Sequence, residues 1–171
     1  MTPFPPGSKK RLHATPPIEE ICLFTAELFD NRIVCILLPG DWKYEMIEIR
    51  GQQSLWGGEN DVIVQDREGM KKKGYSPISV AYYSAHLAAC EFLVQRKRSA
   101  RVIILRSISS DYWAPLGTWV IREATRKAMA DPPLCESLAT AVRQASALLG
   151  SDTWVSHSTL IPELRTQRTL F

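Results

Sequence analysis

Apolar positions along this chain follow two rhythms. Up to about residue 66 they come in short β-rich runs broken by turn residues, and from residue 78 they recur mostly at helical spacing. Ile21 to Phe29 is β-rich, Asp30-Asn31 is a turn pair, and Ile33 to Leu38 is a continuous apolar run closed by Pro39-Gly40. Together they predict a hairpin. Lys43 to Arg50 predicts a third strand, with Tyr44, Met46 and Glu48 on one face and Glu45, Ile47 and Ile49 on the other. Val62 to Asp66 predicts a fourth, leading into a charged loop from Arg67 to Gly74.

Pro77 opens the longest helical pattern, Ile78 to Arg98. Ile78, Ala81, Tyr82, Ala85, Ala89, Phe92 and Leu93 form one face. Leu87, Cys90 and Val94 extend the apolar surface, so the helix is expected to be central and largely buried. Arg101 to Ile108 predicts a strand covered on both faces, because Val102 to Leu105 is apolar throughout. Two more helices are expected, Thr118 to Ala130 and Leu134 to Leu149, with Gly150 as a C-cap. The segment from Trp154 to Leu164 fits either class. The expected fold is α+β or α/β: a mixed sheet of about five strands, packed by the long helix and two further C-terminal helices.

Composition narrows the setting. A chain of 171 residues with 45% apolar content suits one globular domain with tails. The net charge of +3 is too small to mark a nucleic-acid binder by bulk charge. Cys22, Cys35 and Cys90 lie in apolar runs and no C-x-x-C pair occurs, so buried free thiols are expected rather than a zinc site. No cofactor is expected. No apolar stretch reaches the roughly 20 residues of a membrane span, and the first 17 residues lack the apolar core of a signal peptide. A cytoplasmic, nucleoid-associated protein is the expectation. Residues 1–17, with five prolines and Lys9-Lys10-Arg11, read as a flexible basic lead.

Three groups of residues carry candidate chemistry. Asp41, Glu45, Glu48, Asp66 and Glu68 supply the oxygen ligands that a divalent metal would need in a nuclease or phosphodiesterase. The spacing of Glu68 and Lys71 departs from the usual acid and lysine of a nuclease strand. Arg122 and Arg126 stand one helical turn apart and suit either a phosphate or an internal acidic partner, the latter favoured. Lys71, Lys72 and Lys73 form a loop tip that could meet phosphates loosely. His86 reads as a core or boundary histidine, and no catalytic triad or phosphate-binding glycine loop is evident.

Several blocks together resemble a known family. Ile36 to Glu48, Val62 to Gly69, Tyr82 to Leu93, Val102 to Arg106 and Pro115 to Glu123 are similar, in order, to the C-terminal domain of archaeal Nre proteins. The resemblance implies a DNA repair factor, with or without catalysis, carrying a peptide that binds a DNA sliding clamp. Gln167, Leu170 and Phe171 match that peptide in part: the glutamine and aliphatic spacing fit, but the two later aromatics are absent. The expected partners are a sliding clamp, DNA, and a separate protein supplying the family's zinc-binding N-terminal domain, which this chain is expected to lack; the alternative functions are the metal-dependent nuclease or phosphodiesterase and the scaffold half of a split repair protein. The expected divisions are a lead at 1–17, a domain at 18–160 and a tail at 161–171.

Overall fold

The computed structural model describes residues 8–28, 31–51, 62–68, 75–78, 80–108, 119–130 and 134–168. The expected hairpin is present. β1 (Ile21–Leu28) pairs antiparallel with β2 (Asn31–Leu38), Leu28 lying opposite Asn31. β2 pairs antiparallel with β5 (Arg101–Ile108), and β5 runs parallel to β3 (Lys43–Arg50). β4 (Val62–Arg67) returns antiparallel along β3. A three-residue β6 (Leu134–Glu136) joins the free side of β1, so the order is β4-β3-β5-β2-β1-β6.

The uninterrupted apolar runs of β2 and β5 follow from coverage on both faces. Ile33, Cys35, Leu37, Met46, Val102 and Ile104 form one core with α1 (Ser8–His13), α2 (Val80–Arg96) and α3 (Trp119–Ala130). Val34, Ile36, Leu38, Ile47, Ile103 and Leu105 form the other. It is closed by α4 (Leu138–Leu149), a 3-10 turn (Thr153–His157) and α5 (Leu160–Arg168). On α2 the buried face is built from Ala81, Ala85, Ala88 and Ala89, whose small side chains let the helix lie close to the sheet. Cys35 and Cys90 are buried and Cys22 is half-buried, all as free thiols. Burial pushes the Cys35 thiol far above its usual range. Among the described residues, no helix is long and apolar enough to cross a membrane.

The structure revises three expectations. The lead is not simply extended: α1 forms within it, Leu12 is fully buried, and Pro17 bridges to Ser99 beside β5. The last long helix starts at Leu138, not Leu134. Ser137 caps it by accepting the Thr140 N–H at 3.3 Å, and residues 134–136 pair as β6 instead. The ambiguous segment becomes the 3-10 turn and α5, anchored by Trp154, whose indole N–H donates to Ser146 Oγ at 3.1 Å. Gly150 ends α4 in the left-handed conformation, as expected of a C-cap.

Candidate functional site

The five candidate carboxylates do not converge. Alternation along β3 sends Glu45 to the α5 face and Glu48 to the α2 face. Glu48 is held by charge: Arg106 donates to its Oε2 at 2.7 Å and Arg50 to its Oε1 at 2.7 Å. Arg106 also donates to Asn31 Oδ1 at 2.8 Å. Glu45 is fully buried among neutral donors. The Ser158 hydroxyl donates to it, as do the Thr159 N–H at 2.9 Å, the Thr159 hydroxyl at 2.8 Å and Gln65 Nε2 at 3.3 Å. The Ser158 and Thr159 donors lie just before α5, where the helix dipole also favours a negative charge. Asp41 is exposed in the turn before β3, and Asp66 accepts the Arg67 N–H at 2.8 Å. Among the described residues no group of three His, Cys, Asp or Glu side chains is placed to hold a metal, so the metal-dependent nuclease reading is not supported.

Glu68 behaves differently. Its backbone N–H donates to Tyr44 O at 2.8 Å, extending the β3–β4 ladder by one residue. Its Oε2 accepts the Trp42 indole N–H at 2.8 Å and lies 3.1 Å from His86 Nε2. Trp42, Tyr44, Tyr82 and His86 pack edge to face around it, with Tyr44 and His86 centroids 4.8 Å apart. The Tyr44 hydroxyl donates to Tyr82 O at 2.9 Å. Burial pushes Tyr44 well above its usual range, and burial followed by the nearby Asp66 does the same to Tyr82. Cys90 Sγ lies 3.7 Å from His86 Nδ1, which gives a Cys, His and Glu in line. The thiol is fully buried on α2 and has no access to a substrate, so this is not a nucleophilic triad.

Glu68 opens onto a cavity of about 490 Å³, lined by Trp42, Tyr44 and Leu160 and by His13, Lys43, Arg67, Glu68 and Glu163. Gly40 delivers the chain into it. Its φ is +146°, and an added Cβ would come within 2.6 Å of Arg101 Nε, so only glycine fits the turn before Trp42. Lys43 is tied to Glu163 of α5 at 2.6 Å. Sequence reasoning named Glu68 but missed its link to His86 and Trp42, which lie 18 and 26 residues away along the chain.

The remaining candidates are placed as follows. Arg126 is occupied by Glu91, with contacts of 2.9 and 3.0 Å, and by Glu123 at 2.9 Å. The Glu91 hydrogen bonds raise its pKa further. Arg122 lies 3.7 Å from Glu123. Arg126 is therefore taken up by internal carboxylates, while Arg122 makes only the longer approach to Glu123. Gln167 sits on the last turn of α5, while Leu170, Phe171 and Lys71 to Lys73 lie outside the described residues.

A mainly antiparallel mixed sheet covered by helices on both faces, with a charged and aromatic cavity at the β3–β4 edge, defines an α+β protein with a ligand-sized cavity. The chain belongs to the archaeal Nre family. The family model for its C-terminal part matches residues 67–171, and the model for its N-terminal part matches residues 7–57. This corrects the expectation that the N-terminal part is absent. The two matched regions share one sheet, and the cavity draws His13, Trp42, Lys43 and Tyr44 from one and Arg67, Glu68, Leu160 and Glu163 from the other.

The chain is 35% identical over 148 residues to DNA repair protein NreA of Archaeoglobus fulgidus, covering 85% of this chain and 38% of the relative. It is 33% identical over 141 residues to NreA of Haloferax volcanii, covering 77% and 33%. It is 32% identical over 160 residues to NreB of Archaeoglobus fulgidus, covering 90% and 40%. The chain thus spans about two-fifths or less of these relatives' length. No solved structure matches it.

Proposed function

We propose that this chain is a DNA repair factor recruited to DNA through a sliding clamp. The observation that carries the repair role is its family membership: both parts of the family match in chain order, and the relatives are named DNA repair proteins. Recruitment rests on Gln167-Arg-Thr-Leu-Phe171. In this reading Gln167 gives the polar register, Leu170 and Phe171 supply the apolar plug, and the charges of Arg165 and Arg168 suit the acidic surface expected of a clamp. A full plug would carry two more rings. Each buried ring contributes about 1.5–3 kcal/mol, so the contact is expected to be at least roughly tenfold weaker than a complete motif.

The test is calorimetric titration of the full chain against the sliding clamp of its host, beside the double variant Leu170→Ala/Phe171→Ala. This variant leaves α5 intact, whereas truncation after Arg165 would remove its last turn. Binding by the parent chain and at least tenfold loss in the variant supports recruitment. Equal binding by both, or none by either, rules out the tail as the recruiting element.

A further inference from the structure

We propose that the cavity at the β3–β4 edge binds a nucleotide unit, either free or at the end of a DNA strand. The choice of a nucleotide among phosphate-bearing ligands rests on the proposed repair role; the rest is argued from the cavity itself. At about 490 Å³ it lies within the range of small-molecule sites. Its lining is divided. Trp42, Tyr44 and Leu160 offer an apolar wall, while His13, Lys43 and Arg67 offer cationic or protonatable groups. Lys43 is matched by Glu163 at 2.6 Å, but no described side chain partners Arg67 or His13. The guanidinium fork of Arg67 is therefore available to take a phosphate in two parallel hydrogen bonds.

The opposite requirement comes from Glu68. The Trp42 indole, the His86 ring and the strand backbone fix its carboxylate in place before any ligand arrives. An ionised carboxylate only accepts hydrogen bonds, so it selects a hydroxyl or amino group on the ligand. Inorganic phosphate alone would leave this acceptor facing an anion. An apolar ligand would leave the Arg67 guanidinium desolvated with no ligand group to meet it, at a cost. A molecule with a phosphate at one end, a flat apolar body and hydroxyl or amino donors satisfies all three walls. A nucleotide has these parts.

The test is titration of the full chain with deoxynucleoside 5′-monophosphates, the matching nucleosides, inorganic phosphate, and a short single strand with or without a 5′-phosphate. Mononucleotide binding that is at least tenfold tighter than nucleoside and phosphate, and at least tenfold weaker in Arg67→Ala, supports the site. Arg67 is exposed, so its loss leaves the core untouched. If the phosphorylated strand binds tenfold tighter than the mononucleotide, the ligand is a strand end. If it binds equally or less tightly, the ligand is a free nucleotide. No nucleotide binding up to millimolar concentration, or an unchanged Kd in Arg67→Ala, overturns the proposal. The Leu170→Ala/Phe171→Ala chain is expected to bind nucleotide like its parent, so failure of the clamp contact and failure of the cavity are read separately.

Discussion

Glu45 and Glu48 stand three residues apart on one strand, yet they are held by opposite means. Glu48 is paired with two arginines, while Glu45 is hydrogen-bonded by two hydroxyls, a side-chain amide and the Thr159 N–H just before α5. Glu68, at the end of the neighbouring strand, is also hydrogen-bonded, but its side chain is 25% exposed and it borders a cavity. The difference separates carboxylates whose partners all lie within the fold from one that also borders a cavity. Full burial with complete internal satisfaction leaves no atom for outside chemistry, whereas partial burial with fixed orientation does.

The largest effect is expected at Glu48. Glu48→Ala would leave Arg106, only 9% exposed in its side chain, charged against Asn31 alone. Removing one member of such a buried pair costs about 3–5 kcal/mol. Replacing both partners with methionine should recover most of that loss, because the desolvated charges vanish together. Urea unfolding of the single and double variants measures this. A single-variant loss under about 1 kcal/mol would mean that Arg106 finds water, and that charge pairing is not what holds this face.

Glu45→Ala should come next, at about 2–4 kcal/mol, because it orphans several donors that have no other buried partner. The site of the damage distinguishes it from Glu48. Hydrogen exchange should quicken across α5 and the 3-10 turn while α2 stays protected. Equal loosening of α2 and α5 would show that the two faces do not fail independently.

Much of this contrast was legible in the residues. The period-two pattern of Lys43 to Arg50 already puts Glu45 and Glu48 on opposite faces, which conflicts with gathering them around one metal. The strand reading was the stronger of the two and is what the fold shows. The apolar run of β5 announced a strand buried on both sides for the same local reason. Glu68 with His86 and Trp42 was not legible. That contact depends on where α2 lands on the sheet, and no local periodicity encodes it. α1 was hidden by surrounding prolines, and β6 is too short to show a period. The sequence placed the clamp-like residues at the end of the chain, and their chemistry lies outside the described residues.

Alkali should act chiefly on the α2 face, where Cys35 and Tyr44 are both buried and pushed above their usual ranges. In the unfolded chain these groups lose protons near about pH 8.5 and 10, while the folded protein keeps them. The unfolded state then binds fewer protons, so stability is intact below about pH 8.5 and declines as pH rises. The limiting slope is about 1.4 kcal/mol per pH unit for each group. Tyr82 on the same face is raised as well and adds to the loss that begins at about pH 10. Thermal unfolding between pH 7 and 11 measures the decline, and Tyr44→Phe should remove about half of that part. An identical pH profile for this variant would remove Tyr44 from the account.

The smallest stability effect is expected at Glu68, and it is the sharpest test of the comparison. Glu68→Gln keeps an oxygen for the Trp42 indole N–H and removes only the charge beside His86. The carboxylate is a quarter exposed, so solvent screens much of what the charge contributes. Unfolding free energy should change by less than about 1 kcal/mol, well below the losses at Glu45 and Glu48. Nucleotide affinity should nevertheless fall, because an amide presents both a donor and an acceptor where the ligand's hydroxyl or amino group needs an acceptor alone. A stability loss as large as that of Glu45→Ala would place Glu68 among the carboxylates that hold the fold. The cavity would then be a gap beside a structural hydrogen bond, with nothing in it arranged for a ligand.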